Sequence, residues 1–163
     1  MKYLKLSREE RHATLRALEE MPEFLTASCG ALPAARAAER GPEGLLSPVE
    51  QCWHLADLER EGFGTRIRRL LEETHPHLPD FDGARLVRER AYATRSVGEA
   101  IAAFRSARLA NLQILRSLDR DSWARGGTQE GVGEVALCDM PHMMSEHDGG
   151  HRAEIALWRS LAL

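Results

Sequence analysis

The sequence lacks several features that mark particular classes of protein. It contains no apolar run of about 18 residues, the length that a membrane-spanning helix needs. The opening residues, MKYLKLSREER, include no continuous apolar stretch of the kind found in secretory signal peptides. We therefore expect a cytoplasmic protein without a membrane partner.

Cysteine is scarce and its spacing is uninformative. Cys29, Cys52 and Cys138 are an odd number of residues, and none stands in a CxxC pair. A disulfide framework usually requires an even number of cysteines in an oxidising compartment. The sequence therefore predicts reduced thiols that pack as small apolar side chains in the core.

An excess of positive charge is also missing. The chain has 22 Lys+Arg against 25 Asp+Glu, a formal net charge of -3. A nucleic-acid-binding domain usually carries a basic face, so we expect no nucleic-acid partner, although this balance leaves room for a local basic patch. With 43% hydrophobic and 29% charged residues over 163 positions, the chain has the composition and length of one globular domain, residues 1–163.

Capping boxes mark three helix starts. In this motif a serine oxygen accepts a hydrogen bond from the first turn, and a glutamate three residues later accepts one from the serine N–H. The pairs are Ser7 with Glu10, Ser47 with Glu50, and Ser96 with Glu99. Apolar residues at helical spacing follow each box, so the sequence predicts helices over about 7–20, 47–74 and 96–118.

A fourth main helix is predicted from about Glu134 to Leu161. Pro22 should end or kink the first helix, and residues 23–38 have room for a short helix. Prolines and aspartates predict a loop at 75–83, and four glycines predict a flexible link at 125–133. Because no segment alternates apolar and polar residues, we predict an all-α fold: an up-and-down four-helix bundle with irregular connecting segments.

The last helix presents two histidines on one face, since His147 and His151 are four residues apart. A helical wheel places apolar residues around them, so both imidazoles should point inward, where they need polar partners. Spacing alone leaves two alternatives open: a shared metal ion, or two separately hydrogen-bonded core histidines.

Three residues of this helix are unusual. Gly149 and Gly150 disfavour helix formation, which indicates either close approach by another helix or a ligand, or a locally loosened helix. The sequence does not separate these alternatives. Pro141 is expected to kink the first turns or to mark where the regular helix begins.

A metal site would need a third donor from elsewhere. His142 falls on the opposite face of the last helix, and His75 and His77 lie in the proline-rich loop, where they should be solvated. His54, in the run CWHLADLE, is the first candidate, with His12 remaining. Its helix is apolar nearly all round, which fits burial between two neighbouring helices or in a dimer interface.

Several segments, in order, resemble one known family. They are the helix opening LSPVEQCWHLADLE, the pair Phe81-Asp82, the run Arg-Glu-Arg-x-Tyr ending at Tyr92, the helix FRSARLANLQILRSL, the Trp-x-Arg at 123–125, and the final HDxxH. Together they resemble the DinB-like (YfiT-like) metal-binding helical bundles, over the chain from about Leu15 to its end. The glycines at 149–150 and Pro141 depart from the family pattern.

This resemblance implies a specific site. Members of the family hold a divalent metal with one histidine of the second helix and two of the last, which corresponds here to His54, His147 and His151. Three imidazoles suit zinc, nickel or ferrous iron, and the residues alone do not choose among them. Of the three we expect zinc first. Asp57, Asp148 and Glu154 are nearby candidates to orient these histidines. For Asp57 we favour an ordinary solvated charge, and for Glu154 both alternatives stay open.

The implied functions fall into two classes. The first is a metal-dependent enzyme, either a thiol (S-)transferase that acts on a low-molecular-weight thiol or other small substrate, or a hydrolase. The second is a non-catalytic, stress-related metal-binding bundle. In both classes we expect a homodimer, because of the all-round apolar second helix.

Overall fold

The capping serines start helices where the sequence predicts them. Ser7 Oγ accepts a hydrogen bond from the N–H of Glu10 at 3.2 Å, and the Glu10 carboxylate accepts one from the N–H of Ser7 at 2.7 Å. Ser47 and Glu50 form the same reciprocal pair in the interior. These bonds satisfy N–H groups that a helix start would otherwise leave unpaired.

The structure is a computed structural model that describes residues 5–161. Residues 1–4 and 162–163 lie outside that range. The predictions about a signal peptide and about one domain over residues 1–163 include them. The helices are α1 (Arg8–Glu19), α2 (Met21–Cys29), α3 (Ala34–Ala37), α4 (Pro48–Asp57), α5 (Gly64–Glu72), α6 (Gly83–Glu89), α7 (Val97–Ser117), α8 (Arg120–Trp123) and α9 (Met140–Leu161). The strands are β1 (His77–Leu78), β2 (Gly126–Gln129) and β3 (Gly133–Ala136).

The second main helix is continuous but not uniform. Between α4 and α5 lies a π-helical segment, Leu58–Phe63, which the helical periodicity of the sequence does not indicate. This segment places Glu59 in the interior, where it is 1% exposed. Helix α4 is buried chiefly against α7 of the same chain, so burial between neighbouring helices accounts for its all-round apolar character.

The region before the last helix differs from the prediction. Residues 125–133 are not a flexible link, because β2 and β3 form an antiparallel hairpin, with Gly126 opposite Ala136, and β2 also pairs in parallel with β1 of the predicted loop. Short strands held by backbone pairing need no alternating pattern, which is why the sequence shows none. The last helix therefore begins at Met140, and Pro141 occupies its first turn, where a missing N–H costs little.

The predicted four-helix bundle is confirmed: α1, the α4–α5 helix, α7 and α9 are its four long elements. Its apolar interior has two clusters, one including Leu18, Leu58, Leu112 and Met144, the other including Met21, Leu55, Phe104 and Ile155. On the α4–α5 helix, α7 and α9, the residues between the two clusters include polar or charged side chains, among them Asp57, Arg108 and Asp148, which form a polar layer. Within residues 5–161, no helix combines the length and apolar character required to cross a bilayer.

Arg108 of α7 is the centre of this polar layer. It is 1% exposed, and its guanidinium contacts each of the other long helices. It donates to the Leu18 carbonyl of α1 at 2.9 Å, to Glu59 at 3.0 Å, and to both carboxylate oxygens of Asp148 in α9 at 2.7 and 2.9 Å. Its Nε lies 2.9 Å from Glu59 without the alignment of a hydrogen bond. One side chain thus links all four helices.

The substitution Arg108→Met should destabilise the bundle strongly. It leaves Glu59 and Asp148 buried without their cation. Removing one partner of a comparable buried pair lowers the free energy of unfolding by about 3–5 kcal/mol. The control is Arg116→Met, since Arg116 and its partner Glu19 are about 40% exposed, and such pairs contribute about 0–1 kcal/mol. Urea unfolding measures both, and similar losses in the two variants would contradict the central role of Arg108.

Candidate metal centre

Three histidines from two helices meet beside this polar layer. His54 comes from the last turn of α4, and His147 and His151 come from successive turns of α9. His147 Nε2 lies 3.4 Å from His54 Nε2 and 3.2 Å from His151 Nε2. One ring nitrogen of each residue falls within 4.8 Å of the others. All three predicted site residues are therefore brought together by the fold.

The spacing of these nitrogens fits a bound metal ion. Ligand nitrogens about 2.0–2.1 Å from a tetrahedral zinc ion are separated by about 3.4 Å. The two Nε2 separations agree with that value. Neutral imidazole nitrogens that face one another without a proton between them repel, whereas a shared cation satisfies them all. A search of the histidine, cysteine, aspartate and glutamate side chains in residues 5–161 finds metal-binding geometry at these three histidines.

The environment keeps the three rings neutral. Burial, together with a smaller contribution from neighbouring His151, lowers the pKa of His54 to about 4 and that of His147 to about 3. Burial also lowers the pKa of His151. Since a metal ligand must offer a free lone pair, histidines that resist protonation are suited to coordination at neutral pH.

Gln51 orients one of the rings, a role that was not predicted from the sequence. Its Oε1 is hydrogen-bonded to His151 Nδ1, and its Nε2 donates to Glu154 at 2.7 Å. The bond places the proton of His151 on Nδ1, which leaves Nε2 free toward the other two histidines. Gln51 precedes His54 by three residues on the same helix, and that spacing is the signal that could have identified it.

A cavity of about 640 Å³ opens onto the cluster. His54, His151 and Glu154 line it, and the side chains of Leu45, Leu46, Val87 and Leu157 provide apolar walls. Charged residues of both signs complete the lining, namely Arg40, Arg88 and Glu43. The volume lies within the range of small-molecule sites, about 300–1,000 Å³. The histidines can therefore be reached by a small molecule from one side.

Comparison with known proteins identifies the family and the fold of the chain. The family model of the DinB superfamily matches residues 6–155. The chain belongs to the DinB superfamily. No curated protein matches its sequence. Among solved structures, it resembles YfiT from Bacillus subtilis, described as a probable metal-dependent hydrolase with an unusual four-helix bundle topology. The TM-score is 0.87 at 19% identity, over 96% of this chain and 90% of that one.

Asp57 of this DinB-superfamily chain is not a solvated charge, so that prediction was wrong. Its side chain is fully buried, and it accepts hydrogen bonds from the Tyr92 hydroxyl, from Arg60 at 2.8 Å and from Arg90 at 2.5 Å. Arg90 and Tyr92 belong to the Arg-Glu-Arg-x-Tyr run of the family resemblance. Arg90 and Tyr92 therefore anchor the segment after α6 to α4, whereas Arg88 of the same run lines the cavity beside the histidines.

Asp148 does not orient a histidine either, because both its oxygens accept hydrogen bonds from Arg108.

Gly149 and Gly150 are exposed, and a Cβ placed on either would meet no described atom within 4 Å. The close-approach interpretation of these glycines is thus not supported. His142, His75 and His77 are exposed and lie outside the cluster, as predicted.

The close approach occurs instead at Gly83, the first residue of α6. A Cβ at this position would lie 2.4 Å from His54 Cε1 and 2.6 Å from His54 Nδ1. Real Cβ atoms do not approach so closely, so only glycine lets α6 pack against the imidazole. No local sequence signal marks this role, because Gly83 and His54 are brought together only by tertiary packing.

Gly83→Ala should displace the His54 ring and weaken zinc binding by about tenfold to a hundredfold, the range seen when the support of a ligand is lost. Zinc affinity is measured by competition with a chromogenic chelator. Gly149→Ala is the matched control: it adds the same methyl group into open space beside His147 and should keep the affinity while raising the melting temperature. Unchanged affinity in Gly83→Ala would contradict the assigned contact.

Proposed function

We propose that this protein is a metal-dependent hydrolase that holds one divalent ion, zinc first, with His54, His147 and His151. The observation that carries the proposal is the convergence of three imidazole nitrogens beside a cavity that His54 and His151 line. The structural similarity to YfiT, described as a probable metal-dependent hydrolase, supports the same reaction class. Nickel and ferrous iron remain alternatives, since three imidazoles suit each of them.

The donor set is that of a catalytic centre. Structural zinc sites in proteins are closed by four protein ligands, whereas catalytic sites have three and an open position. A divalent ion in such a site lowers the pKa of a bound water toward about 7 and polarises a substrate oxygen. The cavity beside His54 and His151 gives a substrate access to that position. This access disfavours the alternative of a non-catalytic metal-binding bundle.

Glu154 is the proton acceptor that we assign to the reaction. Its carboxylate lines the cavity, is about half exposed, and lies 3.6 Å from His151 Nδ1. One of its oxygens, Oε2, accepts a hydrogen bond from Gln51 Nε2, which fixes the orientation of the group. The other oxygen can take the proton of the attacking nucleophile. The apolar cavity walls would hold the body of a small substrate.

The thiol (S-)transferase expected from the resemblance stays a second prediction. A carboxylate at Glu154 could accept the proton of a thiol as well as that of water, so the site chemistry allows both nucleophiles. The homodimer also stays a prediction. The all-round apolar second helix supports it less, because α4 is buried within the same chain.

Metal content tests the site directly. Protein purified without an affinity tag and dialysed against zinc should carry about one ion per chain by elemental mass spectrometry. The variants His54→Ala, His147→Ala and His151→Ala should each lose most of it, because a site with two remaining ligands binds weakly. His142→Ala is the control: this exposed histidine lies on α9 and outside the cluster. Retention of metal in the three variants would refute the site.

Activity then distinguishes the reaction classes. The zinc-loaded protein is assayed against chromogenic esters, amides and phosphoesters, and separately for transfer of low-molecular-weight thiols to an electrophile. We expect hydrolysis that disappears in His147→Ala. Thiol transfer without hydrolysis would replace the hydrolase assignment by the transferase, and the absence of both with metal bound would favour the non-catalytic alternative.

Glu154→Gln should reduce kcat by about a hundredfold to ten-thousandfold, the contribution of a positioned general base, while the metal content stays unchanged. The amide retains an oxygen that can accept the bond from Gln51, so the local structure should persist. Glu146→Gln, an exposed change on the same helix, is the control and should leave kcat unaltered. Full activity in Glu154→Gln would eliminate this carboxylate as the proton acceptor.

A further inference from the structure

Five arginines converge on a second cleft of this protein. The cleft has a volume of about 790 Å³ and lies between α1, the end of α7 and α8. Arg8, Arg11 and Arg16 come from α1, and Arg116 and Arg120 come from α7 and α8. It shares no lining residue with the cavity beside the histidines. Residues distant in sequence thus form a local basic patch on a chain whose net charge is -3.

Most of this charge is not neutralised. Among residues 5–161, no carboxylate lines the cleft. Arg116 forms an exposed ion pair with Glu19 at 2.7 Å, and Arg11 donates to the Leu6 carbonyl at 2.8 Å. Within the described residues, the side chains of Arg8, Arg16 and Arg120 form no hydrogen bond or ion pair. Like charges gathered in this way repel one another, and an anion in the cleft would remove that repulsion.

The floor of the cleft is apolar and contains an aromatic ring. Leu15, Leu115 and Trp123 are buried beneath the arginines, and Leu118 is half-buried beside them. Guanidinium groups bind phosphate oxygens through paired N–H donors. The indole of Trp123 is only 8% exposed, so it adds apolar surface to the floor and not an open ring face. The cleft therefore combines recognition of an anion with a place for an apolar moiety.

We propose that this cleft binds a small organic phosphate, with the phosphate groups on the arginines and an aromatic or apolar group on the floor around Trp123. The volume of the cleft matches small-molecule sites, about 300–1,000 Å³. A nucleic-acid polymer is disfavoured, because it would extend beyond the cleft over a chain of net negative charge. This inference does not depend on the metal-dependent activity.

Calorimetric titration at a fixed, near-physiological salt concentration tests the proposal with three probes. ATP should bind at one site per chain, inorganic tripolyphosphate should bind more weakly, and adenosine should show no binding because it lacks the anion. His147→Ala should bind ATP as tightly as the unchanged protein, which separates this cleft from the histidine cluster. Loss of ATP binding in His147→Ala would place the ligand at the histidines and overturn the proposal.

Charge reversals then locate the site. Arg16→Glu and Arg120→Glu should each weaken ATP binding by at least about tenfold, since each replaces an attractive contact by a repulsive one. Arg68→Glu makes the same charge change at an exposed position outside the cleft and should alter ATP affinity little. Equal weakening in all three variants would show that only net charge matters and would refute a built site.

Two further measurements complete the test. Trp123→Leu should reduce the affinity for ATP toward that for tripolyphosphate, while circular dichroism and the melting temperature report whether the variant is folded. If Trp123→Leu does not fold, Leu118→Ala at the half-buried edge provides the same comparison. A short single-stranded oligonucleotide that binds more tightly than ATP at the same salt concentration would overturn the small-ligand proposal in favour of a nucleic-acid face.

Discussion

The buried guanidinium of Arg108 is the interaction on which the bundle depends. A charge in the interior is costly unless it is fully paired, and here two carboxylates and a carbonyl from three other helices complete its coordination. These partners must arrive together, so the arrangement admits one register of the four helices. The apolar clusters on either side could slide against each other more easily, because dispersion contacts are less directional.

The same polar layer fixes the histidine cluster. Asp148, held by Arg108, stands between His147 and His151 in the sequence, so the salt bridge sets the rotation of α9. Glu59 sets α4 in the same way, five residues after His54. The π-helical segment between α4 and α5 accommodates this requirement, since its wider turn lets Glu59 face inward shortly after His54. The site thus inherits its geometry from a structural ion pair.

The two candidate sites illustrate opposite uses of charge. At the histidines, burial removes positive charge from the rings and leaves lone pairs for a cation. In the second cleft, four of the five arginines are exposed and Arg11 is half-buried, so they stay charged and favour an anion. Neither property is visible in the overall composition, because 22 basic and 25 acidic residues nearly cancel. What matters is which of them the fold gathers into a cleft or excludes from water.

By itself, the sequence determined the features that depend on near neighbours. The capping serines predicted the starts of α1, α4 and α7, and the spacing of His147 and His151 placed both on one face, because a helix fixes the direction of residues four apart. The third histidine needed the family resemblance. Only the tertiary structure decided that Gln51 and Gly83 support the site, that Asp57 is buried, and that a hairpin precedes α9. Those outcomes rest on contacts between distant segments, which no local pattern encodes.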